Sequence, residues 1–433
     1  MKFISTRGDA KAVAISSALQ NGLAEDGGLY VPESFPLFDW QALDSAMSYP
    51  DFATKLLTPF FNGDALENQL STICHESFNF PLPLVNIDQK TSVLELFHGM
   101  TLSFKDFGAR FLANALSHIK TDKKFTIMVA TSGDTGSAVA AAFYQKKNIN
   151  VMVLFPKGKI SMRQQKQITC WQDNVCAVEV NGTFDDCQAL VKGAFADNWW
   201  QNNTYLNTSN SINIGRLLPQ TTYYAYIAWQ YFLKHGKKAN FIVPSGNIGN
   251  VCACFWAKKM GLPIGDIVIA QNENNVIGQF LAHKILPNKA SIETLANAMD
   301  VGKPSNFERL YALFPDFDVF AHEVKAFKAS DSDIKKMIAE VKNEHNMLIC
   351  PHTATAFFAR ESLTEDTHYI VVATAHPAKF EEVIEPITQE KIKVPEHLNK
   401  LLEKKQQSVG VSANLNALTE QYQAYFGVYS SSS

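Results

Sequence analysis

The stretch Glu95-Leu-Phe-His-Gly-Met-Thr-Leu-Ser-Phe-Lys-Asp-Phe-Gly-Ala-Arg110 decides the fold, because it places Lys105 where a strand passes into a helix. At its start, residues 92–97 form a short apolar run that predicts a buried strand. After Lys105, apolar side chains recur at helical spacing, at positions 107, 111, 112 and 116. A strand that leads directly into a helix is typical of an α/β fold.

The neighbours of Lys105 suggest a chemical use for its amine. Phe104 and Phe107 are large and apolar, and a lysine beside them is desolvated. Desolvation disfavours the charged form and leaves a more nucleophilic amine, as a Schiff-base lysine requires. The alternative is a snorkelling lysine with its stem on the phenylalanines and its ammonium group in water. From this stretch alone the snorkelling lysine is the better interpretation, and only the rest of the chain can overturn it.

Composition limits the classes of function. The chain has 433 residues, which indicates two or three lobes, and a net charge of −3, which argues against a nucleic-acid surface. No apolar run approaches the length of a membrane span, and the N-terminus MKFISTRGDAK lacks the apolar core of a signal peptide. Seven scattered cysteines predict neither a disulfide framework nor a metal site. A reducing, cytoplasmic compartment is expected.

The order of predicted elements indicates a doubly wound sheet. Residues 1 to 90 carry few strand–helix units, and Pro81 and Pro83 mark the boundary with the next part of the chain. From Ser92 onward, apolar β-branched runs alternate with helical patterns, which predicts a mostly parallel sheet. Ligands of such sheets bind at the carboxyl ends of the strands.

Two turns after predicted strands are suited to anions. Thr131-Ser-Gly-Asp-Thr-Gly136 opens a helix with hydroxyls, glycines and one carboxylate, so its amides suit a carboxylate ligand. Ser245-Gly-Asn-Ile-Gly-Asn250 opens another helix, and its glycines allow a phosphate to approach the backbone. A third feature is Thr374, a hydroxyl at a later strand end that suits a neutral ring nitrogen.

Each feature has an ordinary alternative. Neither turn matches the phosphate-binding loop with its lysine or the six-residue dinucleotide fingerprint, and a plain helix cap explains either one. Thr374 alone is an ordinary strand end before the turn at Pro377, and His376 alone is more often a packed core residue. The conjunction of all four elements, however, matches a pyridoxal phosphate site.

In this order the elements resemble fold type II pyridoxal-phosphate enzymes, the tryptophan synthase β family. Within that group the chain resembles the threonine synthase family, in the longer type found in bacteria and fungi. The motifs that carry the resemblance, all in the family's order, are Ile4-Ser-Thr-Arg-Gly8, Gly27-Gly-Leu-Tyr-Val-Pro32, Leu96-Phe-His-Gly99, Ser103-Phe-Lys-Asp-Phe-Gly108, Phe155-Pro-Lys-Gly-Lys-Ile-Ser161, Asn210-Ser-Ile-Asn-Ile-Gly-Arg216, Asp300-Val-Gly-Lys-Pro-Ser-Asn-Phe-Glu308, Pro351-His-Thr-Ala354 and Ala373-Thr-Ala-His-Pro-Ala-Lys-Phe380.

The resemblance implies an architecture of two doubly wound parallel-sheet lobes with an additional N-terminal domain. The N-terminal domain would be residues 1–90, and the catalytic core residues 91–390. The smaller lobe would span 120–215, and the larger lobe 91–119 plus 216–390. Residues 391–433 are expected to form a helical, surface-wrapping C-terminal extension.

The resemblance also implies a lyase of threonine biosynthesis that converts O-phospho-L-homoserine and water to L-threonine and phosphate. Lys105 would hold the cofactor pyridoxal 5′-phosphate covalently and then act as a general base. The implied cofactor-binding residues are Lys105, Ser245, Gly246, Asn247, Ile248, Gly249, Asn250, Thr374 and Asp134. The implied substrate-binding residues are Ser132, Gly133, Asp134, Thr135, Ser211 and Arg216, with no metal.

One position departs from the pattern, and the resemblance leaves rivals open. Many fold type II enzymes have Asn where this chain has Asp134, and a carboxylate beside the cofactor's ring oxygen would repel a phenolate. The nearest rivals are a serine or threonine dehydratase and a phosphohomoserine lyase. A non-catalytic α/β ligand-binding protein is a rival of another class. No protein, nucleic-acid or membrane partner is expected.

Overall fold

The chain folds into two mostly parallel β-sheets covered by helices, with a small N-terminal region in front of them. The computed structural model describes residues 1–131, 133–363 and 366–427. The strands of these residues are β1 (Phe3–Ser5), β2 (Tyr30–Pro32), β3 (Leu84–Asn86), β4 (Thr91–Glu95), β5 (Phe125–Ala130), β6 (Ile149–Pro156), β7 (Val175–Asn181), β8 (Tyr205–Asn207), β9 (Ala239–Pro244), β10 (Ile264–Gln271), β11 (Lys325–Lys328), β12 (Tyr369–Ala373) and β13 (Val409–Ser412).

The helices surround both sheets, and three short 3₁₀ turns lie at Glu67–Gln69, Asn297–Met299 and Pro377–Lys379. The α-helices are α1 (Ile15–Asn21), α2 (Tyr49–Phe61), α3 (Leu70–Ser77), α4 (Lys105–His118), α5 (Asp134–Phe143), α6 (Met162–Thr169), α7 (Phe184–Ala196), α8 (Asn198–Asn203), α9 (Ile214–Leu217), α10 (Gln220–His235), α11 (Gly249–Lys259), α12 (Val276–His283), α13 (Phe307–Leu313), α14 (Phe317–Glu323), α15 (Asp331–His345), α16 (Pro351–Ser362), α17 (Glu381–Thr388), α18 (Glu396–Leu402) and α19 (Leu415–Phe426). None of the described helices is long and apolar enough to cross a membrane.

The larger sheet has the strand order β11-β10-β9-β12-β4-β3. Its pairs are parallel except for β3, which runs antiparallel to β4 at one edge. Every residue of β12 is buried, as expected for a central strand covered by helices on both faces. Because β12 pairs in parallel with β4 and β9, the carboxyl ends of these three strands meet at one edge of the sheet.

The smaller sheet has the order β13-β7-β6-β5-β8, and its pairs are all parallel. Both β5 and β6 are buried along their full length, which explains why they are apolar runs without polar alternation. The predicted fold class of two doubly wound lobes with an added N-terminal region is therefore confirmed.

The N-terminal region packs on the larger lobe instead of standing apart. β1 and β2 form an antiparallel pair, and α2 packs against α10. Phe52 of α2 is fully buried and stacks on Trp229 with ring centroids 5.1 Å apart. The first residues of the chain therefore share one hydrophobic core with the helices that carry the central strands.

The C-terminal segment is not helical throughout. Val409–Ser412 forms β13, which extends the smaller sheet by pairing with β7. α19 then packs on that sheet, where the hydroxyl of Tyr422 lies 2.7 Å from Thr126 Oγ1 and accepts a bond from Asn150 Nδ2 at 3.2 Å. The sequence analysis missed the strand because Val409-Gly-Val-Ser412 is too short for its alternation to stand out, and pairing with β7 orders it.

This contact generates a test of the C-terminal segment. Tyr422→Phe should lower the free energy of unfolding by about 1–3 kcal/mol, because Asn150 loses a buried partner. The matched control is Tyr425→Phe on the same helix, whose half-buried hydroxyl donates only to Val175 O at 2.9 Å. Urea unfolding of both variants makes the comparison. Equal losses of unfolding free energy in the two variants would contradict the burial of the Tyr422 hydroxyl.

Candidate active site

Lys105 is fixed beside the carboxyl end of β12 by a short backbone ladder. The amide of Phe104 donates to Thr374 O at 2.9 Å, and the amide of His376 donates to Leu102 O at 3.0 Å. Helix α4 begins at Lys105 itself, so the side chain leaves the helix at its N-terminal end. The strand-to-helix position predicted for Lys105 is where the structure places it, and Thr374 is its neighbour across the ladder.

The surroundings of the amine differ in part from the prediction. Lys105 Nζ lies 5.6 Å from the centre of the Phe104 ring, but Phe107 turns into the core and packs against Phe80 and Tyr223, at 4.6 and 5.0 Å. Helical geometry explains the difference, because residues two apart face different directions. Burial lowers the pKa of Lys105, and this effect exceeds the opposing attraction of Asp134.

Asp134 lies between two lysines. Its Oδ2 is 3.6 Å from Lys105 Nζ, and its Oδ1 is 2.9 Å from the Nζ of Lys379, whose side chain is fully buried. Gln164 Nε2 donates to the same Oδ1 at 3.2 Å. Burial alone would raise the pKa of Asp134, but Lys379 and Lys105 outweigh it and hold this pKa well below its usual value. The carboxylate is therefore ionised and has its own counter-charge.

Lys379 lies in one of the family motifs, but the sequence analysis assigned it no role. The ammonium group also donates to Thr101 O at 2.8 Å, so Lys379 ties the loop before Lys105 to Asp134. The available signal was a lysine two residues after Pro377 in an otherwise small and apolar turn. Only the tertiary structure shows which carboxylate it meets.

The turn at 131–136 is partly closed by its own threonine. Thr131 Oγ1 accepts bonds from the amides of Gly133 and Gly136, both at 2.9 Å. A Cβ on Gly133 would lie 2.4 Å from Gln164 Cδ, and its φ of +142° also favours glycine. The amides left for an anion are thus those at the start of α5, at Asp134 and Thr135. Ser132 lies outside the described residues.

The turn at 245–250 owes its shape to one strained residue. Ile248 has φ +63°, which is rare for a β-branched side chain and is typical of functional sites. Gly246 does not have a positive φ, but a Cβ there would lie 2.5 Å from Met299 Cα. Gly246 is therefore required by close packing, and Ile248 supplies the turn that exposes the first amides of α11.

A cavity of about 560 Å³ lies between the carboxyl ends of the two sheets. It brings together most of the predicted site residues, although Gly133 is not on its wall. Those on the wall are Lys105, Asp134, Thr135, Ser211, Arg216, Ser245, Gly246, Asn247, Ile248, Gly249, Asn250 and Thr374. The wall also includes residues that the sequence did not single out, among them Gln164, Gln220, His352 and Met299.

Unpaired donors on this wall fit an anionic ligand. Asn250 Nδ2, Ser245 Oγ and Arg216 Nε are buried and have no hydrogen-bond partner in the described part of the chain. The amide of Asn250 has a fixed orientation, because the hydroxyls of Tyr223 and Tyr224 both donate to its Oδ1, at 2.6 and 2.8 Å. Buried donors are rarely left without an acceptor, so phosphate oxygens are the fitting partners.

Two further groups on the wall have defined charge states. Burial lowers the pKa of Arg216 to about 10, so its guanidinium remains charged at neutral pH. Burial lowers the pKa of His352 to about 4, so its ring is neutral. His352 Nε2 accepts a bond from the amide of Ala298 at 3.1 Å. At neutral pH His352 thus adds no positive charge to that of the site's lysines and Arg216.

The ion pair predicts a coupled loss of stability. Asp134→Asn should cost about 3–5 kcal/mol of unfolding free energy, since it leaves the buried Lys379 without a counter-charge. Lys379→Met should cost less, since Asp134 keeps Lys105 at 3.6 Å. The double variant Asp134→Asn/Lys379→Met should be more stable than the sum of the two losses predicts, because neither charge remains to be desolvated. Urea unfolding of the four proteins forms the cycle. Strictly additive losses would show that the two groups do not interact.

Comparison with known sequences matches most of the chain to three family models. The family "Threonine synthase N terminus" matches residues 2–78, "Pyridoxal-phosphate dependent enzyme" residues 83–375, and "Threonine synthase, C-terminal" residues 353–421. A threonine synthase of Haemophilus influenzae is 38% identical over 405 residues, which cover 92% of this chain and 94% of that protein.

Solved structures give the same result. The pyridoxal-phosphate-bound threonine synthase from Brucella melitensis superposes with a TM-score of 0.91 at 33% identity, covering 98% of this chain and 99% of that one. The threonine synthase from Escherichia coli superposes with a TM-score of 0.88 at 36% identity, covering 98% of this chain and 100% of that one.

Proposed function

We propose, because this chain belongs to the threonine synthase family of pyridoxal-phosphate-dependent enzymes, that it converts O-phospho-L-homoserine and water to L-threonine and phosphate. The chain is thus a lyase of threonine biosynthesis. The observation that carries this function is one cavity that holds both the buried amine of Lys105 and the guanidinium of Arg216, whose Nη1 donates to Ser209 while its Nε has no partner among the described residues. The first suits a carbonyl cofactor, and the second suits a phosphate-bearing substrate.

The residues on the cavity wall fit pyridoxal 5′-phosphate. When bound, this cofactor supplies an electron sink that stabilises negative charge at the substrate's α-carbon. Lys105 would hold it covalently, and Thr374 would face its ring nitrogen. Its phosphate would meet the amides at the start of α11 and the unpaired donors of Ser245 and Asn250, with Gly246, Asn247, Ile248 and Gly249 completing the cradle.

Lys105 is the residue that moves protons. Its lowered pKa increases the fraction of neutral amine, which is the form that removes a proton from the α-carbon. Asp134, 3.6 Å away, then stabilises the ammonium group that results. Lys379 keeps Asp134 ionised throughout, so the carboxylate does not compete with Lys105 for the proton.

Arg216 and Ser211 would bind the substrate's phosphate, and Thr135 lies on the same wall. A guanidinium offers two parallel donors to phosphate oxygens, and the contacts strengthen as negative charge develops on the leaving group. The backbone amides of Asp134 and Thr135 at the start of α5 would hold the substrate's carboxylate, together with Ser132, whereas the amide of Gly133 already donates to Thr131. Released phosphate, still held by Arg216, would serve as base for the water that attacks the β-carbon.

The rival activities are less well supported. A serine or threonine dehydratase acts on a substrate without phosphate, and it would leave the buried Nε of Arg216 without an acceptor. A phosphohomoserine lyase would bind phosphate equally well, but the threonine synthase matches extend over the N-terminal and C-terminal segments too. A non-catalytic binding protein would have no need of a desolvated lysine paired with a buried carboxylate.

We infer the enzyme's partner and its compartment from the same structure. Its substrate is a small phosphorylated amino acid, and the donor-rich cavity is the feature that supports this choice. All seven cysteines are buried as free thiols, which supports a reducing, cytoplasmic location.

A product assay tests the function directly. Cofactor-loaded protein incubated with O-phospho-L-homoserine should release threonine and phosphate in equal amounts, and Lys105→Ala should reduce this rate by several orders of magnitude. Lys105→Ala should keep its fold, which circular dichroism checks. Release of 2-oxobutanoate in place of threonine would show a phosphohomoserine lyase, and near wild-type turnover by Lys105→Ala would overturn its assignment.

Arg216 separates a phosphate-bearing substrate from a phosphate-free one. Arg216→Ala loses two charge-assisted hydrogen bonds of about 1.5–3 kcal/mol each, so kcat/KM should fall several hundredfold or more. Arg216→Lys should recover only part, because an ammonium lacks the fork. The control is Arg110→Ala on α4, whose guanidinium binds Asn79 Oδ1 at 2.7 Å and is not on the cavity wall. Unchanged kinetics in Arg216→Ala would return the dehydratase to consideration.

A further inference from the structure

The hydroxyl of Ser211 is held by two amides that both donate to it. Asn306 Nδ2 donates to Ser211 Oγ at 3.1 Å, and Asn247 Nδ2 donates to the same oxygen. A serine hydroxyl has two lone pairs and one proton. With both lone pairs engaged, the hydroxyl has only its proton left to offer. Ser211 donates that proton to no group in the described residues, and it lies on the cavity wall.

The orientation of each amide is fixed from behind. Asn247 Oδ1 accepts the amide of Ser305 at 2.6 Å, and Asn306 Oδ1 accepts a bond from Arg309 Nη1 at 2.7 Å. A flip of either amide would turn an NH₂ group towards another donor. Both NH₂ groups must therefore face Ser211, and the direction of its hydroxyl bond follows from the Ser305 amide and from Arg309, which fix the two side-chain amides.

Arg309 is the anchor of this arrangement. Its guanidinium is fully buried and also donates to the carbonyl oxygens of Tyr30, Ser211 and Ile212, at 3.0, 3.0 and 2.7 Å. All its hydrogen-bond acceptors are neutral, and Glu308 pairs with Arg7 at 3.1 Å. Burial lowers the pKa of Arg309 only to about 10, so the group keeps its positive charge at neutral pH. It thus orients Asn306 and adds positive potential behind Ser211.

We propose that Asn306 and Arg309 are positioning residues that make Ser211 an obligate hydrogen-bond donor, and so select an anionic γ-phosphate as the leaving group. This inference rests on the proposed function, since it specifies how the phosphate end of that substrate is recognised. A wall that offers only hydrogen-bond donors binds an anionic oxygen, which accepts hydrogen bonds. It binds poorly a hydroxyl or another group that needs to donate its own proton. The N-terminal region takes part, because Tyr30 of β2 supplies one of the carbonyls that hold Arg309.

The test is Asn306→Asp, which is nearly isosteric. The new carboxylate accepts the proton of Ser211, leaving a lone pair towards the cavity, and it cancels the charge of Arg309. Inhibition of the holoenzyme by inorganic phosphate should weaken at least 100-fold, and KM for O-phospho-L-homoserine should rise by a similar factor. The content of bound cofactor and its absorbance spectrum should remain as in the wild type. A general structural defect would change both.

The control variant is Asn114→Asp on α4, where the same arrangement occurs away from the cavity. Asn114 is buried, its Nδ2 donates to Ser77 Oγ at 2.9 Å, and its Oδ1 accepts from Lys146 Nζ. This variant experiences the same kind of amide-to-carboxylate change but should leave phosphate inhibition within twofold of wild type. A 100-fold loss in Asn114→Asp as well would overturn the inference, because the effect would then be one of general stability.

A mutant cycle isolates the hydroxyl. In a Ser211→Ala background the change Asn306→Asp should weaken phosphate inhibition at least tenfold less than it does in the wild type, since the hydroxyl it reorients is absent. An equal effect in both backgrounds would overturn the inference. If Asn306→Asp does not fold, Asn306→Ser replaces it as the test variant, because it frees one lone pair of the Ser211 hydroxyl. Phosphate inhibition of Asn306→Ser should weaken at least tenfold, and unchanged inhibition would overturn the inference.

The outcome is separable from that of the proposed function. Wild-type protein that makes no threonine contradicts the function, whatever the phosphate inhibition shows. Wild-type protein that makes threonine while Asn306→Asp retains full phosphate inhibition contradicts only the positioning roles of Asn306 and Arg309.

Discussion

The structure depends on one buried carboxylate that joins the two lobes. Asp134 follows β5 of the smaller sheet, whereas Lys105 and Lys379 follow β4 and β12 of the larger sheet. A buried charge is tolerated only beside its counter-charge, so the lobes must meet with these strand ends opposed. This requirement fixes the position of the cavity, and it makes the electrostatics of Lys105 a property of the interface between the lobes.

The remainder of the cavity follows a second constraint, namely an excess of hydrogen-bond donors. The strained turn at Ile248 exposes helix amides, and Arg216 and Asn250 keep unpaired N–H groups in the wall. Around Ser211, amides that are fixed from behind leave only a proton to offer. Such a wall is unfavourable by itself, because buried donors without acceptors cost free energy, and it becomes favourable when phosphate oxygens are bound. Under the proposed function, stability is thus given up for the binding of phosphate.

The N-terminal region contacts the support of this wall through Arg309. The guanidinium of Arg309 donates from Nε to the carbonyl of Tyr30 in the N-terminal region, and from Nη2 to the carbonyl of Ile212, just before α9. The N-terminal region therefore helps to hold the part of the cavity wall around Ser211. Its core is continuous with that of the larger lobe, as the stacking of Phe52 on Trp229 shows. This explains why a structure of two lobes is accompanied by a segment that carries no predicted site residue.

The sequence by itself determined the fold class, the strand-to-helix position of Lys105 and the two glycine-containing turns at helix starts, because these are local patterns of apolar spacing and glycine placement. It did not determine that Phe107 faces the core, that β13 joins the smaller sheet or that Gly246 packs on Met299. Nor did it assign a partner to Asp134, or roles to Asn306 and Arg309. These depend on contacts between residues up to hundreds of positions apart. Desolvation and hydrogen-bond direction arise only when such residues are packed together, so the tertiary structure alone decided the charge and polarity of the site.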